Sequence, residues 1–153
     1  MSQQCKTVLD NGMTVISRTM PDVRSVSLGL WFNVGSRDER PDQAGLTHFM
    51  EHMMFKGTPT KGPLDISMHF DRLGAELNAF TSKEYTCYYA RFVDDKLEDA
   101  LSVLAEMVIE SNFSQDAIDT EREVVIEEIA RSEDTPDDYV YELYSCLLYT
   151  SDA

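Results

Sequence analysis

His48, Glu51 and His52 stand at positions i, i+3 and i+4 of the run Thr47-His48-Phe49-Met50-Glu51-His52-Met53-Met54-Phe55. At about 100° per residue in a helix, the three share one face within an arc of about 100°. Two imidazoles one turn apart can hold one divalent metal ion together. The carboxylate beside the second imidazole can then take a proton from a water that the ion polarises. The third histidine, His69, lies between Met68 and Phe70 and is expected to be an ordinary packing residue.

The order H-x-x-E-H is the inverted zinc-peptidase pattern. Zinc suits a site of two imidazoles and one carboxylate, with water in the fourth position. A pattern of five residues alone also fits paired surface histidines, so a third ligand has to be found elsewhere. Segment 115–132 offers Glu121, Glu123, Glu127 and Glu128. With Ile118 set to 0° on a helical wheel, Val125 falls at about 340° and Ile129 at about 20°, marking an apolar face. Glu121 at about 300° and Glu128 at about 280° flank that face, while Glu123 at about 140° and Glu127 at about 180° point to solvent. A carboxylate turned toward a buried interface needs a cation. Glu128 as third ligand, with Glu121 supporting one of the ligands, is consistent with these angles. Two helix-surface carboxylates near a core boundary fit the same angles. Glu98, Glu106 and Glu110 lie away from the Leu97/Leu101/Leu104/Val108 stripe of their own helix and are expected on a solvated face.

These groups must be positioned by the elements around them. Residues 6–19 read as a hairpin around Asp10-Asn11-Gly12, since Asn-Gly supplies the positive φ of a tight turn. Residues 25–34 read as a strand in which Val26, Leu28, Leu30 and Phe32 alternate with Ser27, Gly29, Trp31 and Asn33, with Trp31 expected not to be fully solvated. A polar stretch over 35–43 leads into a helix from Ala44 to about Phe55. A loop over Lys56 to Pro63 precedes a short helix, Leu64 to Leu73, stopped by Gly74. Strands are predicted over 75–81 and 85–93. Helices follow over 95–111, from a Ser114 cap to about Ser132, and after Thr135-Pro136. The order predicts an α+β fold, a mostly antiparallel sheet with helices packed on one face.

The 153 residues carry 13 basic against 28 acidic side chains, a formal charge of −15. That balance excludes the basic footprint of a nucleic-acid binder. Hydrophobic residues are 42% and charged residues 27%, ordinary for a soluble globular fold. No apolar run approaches the ~20 residues of a membrane span. Cys5, Cys87 and Cys146 form no disulfide framework, which favours a reducing compartment. Met1-Ser2-Gln3-Gln4 opens no leader pattern. The expected location is the bacterial cytoplasm, or the mitochondrial matrix if a leader was removed.

The chain resembles the pitrilysin/insulinase class of zinc metallopeptidases, and most closely the β subunit of mitochondrial processing peptidase and its bacterial relatives. The resemblance rests on Leu9-Asp10-Asn11-Gly12-Met13, on Gly35-Ser36-Arg37-Asp38-Glu39, and on Ala44 to Thr58 around the two histidines. It continues through Gly74-Ala75-Glu76-Leu77-Asn78-Ala79-Phe80-Thr81-Ser82 and through Glu121 to Ile129. It implies zinc ligation by His48, His52 and Glu128, a general base at Glu51 and a supporting role for Glu121. It also implies that a peptide substrate adds as a strand along Asn78, Ala79, Phe80 and Thr81, where backbone bonds give affinity and side-chain pockets give selectivity. Members of the class are built from related α/β domains, and a C-terminal half or a partner subunit contributes further substrate-binding groups. Residues 1–145 therefore correspond to a truncated N-terminal peptidase lobe.

Residues 146–153, Cys146 to Ala153, lose the polar–apolar rhythm after Tyr144 and are expected to be a tail foreign to the natural reading frame. The implied function is a zinc endopeptidase acting on extended peptides or small unfolded proteins, poorly active as an isolated lobe. The alternatives are a non-catalytic assembly subunit of the same fold and an acidic interaction module whose histidine pair is incidental. The intact set His48, Glu51, His52 and Glu128 favours the enzyme.

Overall fold

Asn-Gly chemistry builds the first element as expected. In the computed structural model, which describes residues 3–150 (side chains of 146, 149 and 150 excepted), β1 (Gln3–Val8) and β2 (Thr14–Thr19) pair antiparallel with Thr7 opposite Val15. Gly12 takes φ 87°, and Asn11 Oδ1 accepts from the Met13 amide at 3.0 Å. This hairpin is a two-stranded sheet of its own.

A second, three-stranded antiparallel sheet consists of β3 (Ser25–Phe32), β4 (Glu76–Thr81) and β5 (Thr86–Val93) in the order β3-β5-β4. The apolar, β-branched and aromatic strand occupies the centre, where both its edges are satisfied. Its inward residues Tyr88, Ala90 and Phe92 are buried against the helices, flanked by Leu28 and Leu30 of β3 and Leu77 and Ala79 of β4. On the outer face Cys87 lies beneath its register partners Trp31 and Phe80. Trp31 is 62% exposed, although it contacts Phe80 edge-on at 5.8 Å and Tyr85 at 5.4 Å. It shields the thiol while remaining open itself.

The helices are α1 (Leu46–Met53), α2 (Pro63–Arg72), α3 (Leu97–Ile109), α4 (Gln115–Glu133) and α5 (Pro136–Thr150). The α+β architecture with helices on one face of the main sheet is the one expected. Ser114 caps α4, its hydroxyl accepting from the Ala117 amide at 3.3 Å. Among the described residues no helix is long and apolar enough to cross a membrane.

Three details depart from the sequence reading. First, α3 is turned about its axis: Ala100, Val103, Leu104 and Met107 are buried, while Leu97 and Leu101 are 41% and 40% exposed. Small Ala100 and Val103 let the helix approach β5 closely, which the larger leucines at those positions would prevent. Second, Glu106 is not on a solvated face. The loop between α1 and α2 folds over it, with Thr58 Oγ1 and Lys61 Nζ each 2.5 Å away and the Thr60 hydroxyl also donating. The Lys61 bond, followed by those from Thr58 and Thr60, pulls the Glu106 carboxyl down to about 2. Third, α5 runs on past Tyr144, where the polar–apolar rhythm is lost, to Thr150. Leu147 and Leu148, both exposed, are strong helix formers. Of the expected foreign tail, residues 151–153 lie outside the described residues.

Candidate metal centre

The helix carrying both histidines starts two residues later than its sequence pattern suggests. Gly45 takes φ 87°, a left-handed conformation that ends any helix entering it and suits glycine. A glycine at the cap position has no side chain to satisfy the first free amides of α1. Glu39 does so from the preceding loop: its carboxylate accepts from the Gly45 amide at 2.7 Å, the Thr47 amide at 2.6 Å and the Thr47 hydroxyl at 2.5 Å. Partial burial opposes the charge on Glu39. The hydrogen bonds from Thr47 and Gly45, and the charge of Lys83, outweigh it and hold the carboxyl below its usual range.

That loop is itself fixed to the sheet. The Ser36 amide donates to Ser82 O at 3.1 Å, the Arg37 amide donates to Lys83 O at 3.0 Å, and Arg37 pairs with Glu84. Gly35 sits against the same turn, where a Cβ would come within 2.4 Å of the Lys83 carbonyl. The β4–β5 turn thus positions residues 35–39, and Glu39 positions α1.

α1 packs against α4 and β4, and three ligand-type atoms converge between α1 and α4. His48 Nε2 and His52 Nε2 are 3.1 Å apart, His52 Nε2 is 3.3 Å from Glu128 Oε2, and His48 Nε2 is 3.7 Å from the same oxygen. Four tetrahedral zinc ligands at about 2.0–2.2 Å from the ion stand about 3.4 Å from one another. The observed triangle matches that separation, and the donor set, two imidazoles and a carboxylate, is one zinc accepts. Among the described residues these three are the one such cluster.

His52 is further held by Glu121, whose Oε1 lies 2.8 Å from Nδ1. Glu121 is 4% exposed, at the centre of the buried face of α4 rather than on its flank. The burying contact with α1 turns α4 toward its acids and leaves Ile129 exposed. Burial alone would raise the Glu121 carboxyl. Hydrogen bonds from Lys56 and His52, with their charges, reverse that and hold it low. Glu51 is half-buried on α1, and among the described residues its carboxylate has no hydrogen-bond or ion-pair partner. Burial pushes the Tyr88 phenol up, and the Glu51 charge adds to the shift.

Asn78 to Thr81 form most of β4, which pairs with β5 on one side only among the described residues. Asn78 and Phe80 face outward, and Phe80 joins Trp31, Tyr85 and Tyr89 in an aromatic cluster.

The sequence profile described as Insulinase (Peptidase family M16) matches residues 14–150. The chain belongs to the insulinase family of peptidases. A Bacillus subtilis protein named an uncharacterized zinc protease is 49% identical over 139 residues, covering 91% of this chain and 34% of that relative. A Streptomyces coelicolor protein of the same description is 45% identical, covering 97% of this chain and 32% of its own length. The crystal structure of a protease from Helicobacter pylori superposes with a TM-score of 0.85 at 29% identity, over 92% of this chain and 34% of that one. This insulinase-family chain thus spans about a third of the length of the relatives it matches.

Two residues that matter to the site in this M16 chain escaped the sequence reading. Glu39 lay within a quoted motif but carried no role, and its signal was a helix start at Gly45 with no capping side chain. Lys56 lies four residues after His52, in the turn that closes α1. Its signal was the need of a buried Glu121 for a cation.

Proposed function

We propose that this chain is the zinc-binding lobe of an endopeptidase that hydrolyses extended peptides. The observation that carries the reading is the convergence of His48 Nε2, His52 Nε2 and Glu128 Oε2 on one point. Zinc held there by His48, His52 and Glu128 would supply Lewis-acid chemistry, acidifying water and polarising the scissile carbonyl. Glu51 takes the proton of the attacking water as the oxygen bonds to the carbonyl carbon. It returns that proton to the amide nitrogen as the C–N bond breaks. Glu121 keeps the proton of His52 on Nδ1, so that Nε2 faces the ion.

The substrate lies along β4 as an added strand, with its backbone paired to Asn78–Thr81. The free edge of that strand and its packing against α1 support this placement. The remaining two-thirds of such a protein, or a partner subunit, completes the substrate chamber. An open apolar cleft of about 310 Å³ between Leu46 and Met50 of α1, Met54 just after it, and Phe32 and Tyr88 of the sheet is a surface such a remainder can cover. The free thiols Cys5 and Cys87 support a reducing compartment, the bacterial cytoplasm in this reading.

Metal analysis tests the proposal directly. One zinc per chain is expected, lost in His52→Ala. Purified chain that takes up no zinc from a buffered solution overturns it. Peptide hydrolysis is expected to be weak for the chain alone and absent in Glu51→Gln.

A further inference from the structure

Glu121 lies between His52 and a third group whose role the proposed chemistry leaves unassigned. Its Oε1 faces His52 Nδ1 at 2.8 Å and its Oε2 faces Lys56 Nζ at 2.5 Å. The Glu121 side chain is 5% exposed, so these two partners set the orientation of the carboxylate. Lys56 reaches it from the turn that closes α1, where the Phe55 amide donates to His52 O and the Lys56 amide donates to Met53 O. We infer that Lys56 is a positioning residue for the metal centre: it clamps Glu121 so that the carboxylate holds His52 with Nδ1 protonated and Nε2 free to ligate.

The physical case is one of donors. A carboxylate has about four lone-pair sites, and a buried one with a single N–H donor is poorly satisfied. With Lys56 removed, Glu121 swings to find another donor. His52 then loses the acceptor that selects its tautomer and fixes its ring plane. Arginine at position 56 keeps a cation within reach of Oε2.

The inference rests on the zinc reading but carries a sign that a simple charge effect does not share. Removing a positive charge beside a cation site strengthens cation binding by Coulomb's law. Loss of a clamp weakens it. Partners that orient a metal-binding histidine are worth about 10–100-fold in affinity.

The test titrates the 153-residue chain with zinc against a chromogenic chelator. It compares wild type, Lys56→Met, Lys56→Arg, Glu121→Gln and the double variant Lys56→Met/Glu121→Gln. Lys56→Met is expected to weaken zinc binding about 10-fold, and Lys56→Arg to stay within about threefold of wild type. In the Glu121→Gln background the amide oxygen still accepts from Nδ1–H and needs no lysine. There Lys56→Met is expected to change affinity less than about twofold, and this double variant buries no unpaired charge. Zinc affinity unchanged or strengthened in Lys56→Met overturns the inference, as does an equal loss in both backgrounds. Nitrogen-15 spectra of the His52 ring in the metal-free chain, at a pH where the imidazole is neutral, supply an independent readout. Wild type is expected to hold the proton on Nδ1, and Lys56→Met to show a mixture of tautomers. If wild type takes up no zinc, the functional proposal fails, and the ring tautomer alone decides whether Lys56 acts through Glu121.

Discussion

Replacing Glu39 with alanine removes the cap of α1 without touching the proposed metal ligands. Three hydrogen bonds disappear, from the Gly45 and Thr47 amides and from the Thr47 hydroxyl. Loss of a capping side chain costs about 0.5–2 kcal/mol, and loss of a negative charge at a helix N-terminus about 0.3–1 kcal/mol more. For a half-exposed carboxylate the sum is about 2 kcal/mol, or about 4–8 °C in Tm for a domain of this size. Glu39→Gln keeps one acceptor oxygen and loses the charge, so about half that loss is expected.

The pH dependence has a definite sign. The Glu39 carboxyl is held below its ordinary value of 4.5, so the native state favours the ionised form. Its contribution is complete above that value and fades as pH falls through the lowered one. The gap between wild type and Glu39→Gln therefore closes on acidification. Urea unfolding of the metal-free chain, with amide exchange of residues 46–50, measures both effects. A Glu39→Ala chain within about 0.5 kcal/mol of wild type, with α1 amides equally protected, would refute the capping argument.

Glu106 gives a second acid-sensitive contact. Its carboxyl is pulled to about 2 by Lys61, Thr58 and Thr60. The stability it adds is present above its ordinary value of 4.5 and lost as pH falls toward about 2. Glu106→Ala is expected to flatten that part of the stability-versus-pH curve, and an unchanged acid limb would count against the contact. Gly35→Ala places a Cβ 2.4 Å from Lys83 backbone atoms. The forced shift should cost about 1–3 kcal/mol, and chemical denaturation at wild-type midpoint would contradict it. Zinc at about 100 times its Kd should stabilise the chain by about 2.7 kcal/mol, raising Tm. The rise should vanish in His48→Ala and in Glu128→Gln, and a rise that survives both substitutions would place the ion elsewhere.

The histidine pair, the Glu at i+3 and the two helical acids one stripe apart were legible because helical periodicity alone brings such residues to one face. Asn11-Gly12, the Ser114 cap and the Pro136 start were legible for a similar reason: their chemistry is local, acting within three or four residues. What periodicity cannot supply is the rotation of a helix about its own axis. That depends on which side chains let it come close to its neighbour. So Ala100 and Val103 displaced Leu97 and Leu101 from the buried face of α3, and Glu121 rather than Ile129 became central on α4. The same limit hid Glu39, Lys56 and Glu106. Each meets a partner brought near only when a loop or a second helix packs, and a charge reads as solvated until the group that buries it is in place. The candidate ligand set was thus written locally along two helices. Whether those side chains meet, and what holds them still, was decided by how α1, α4 and the β4–β5 turn pack.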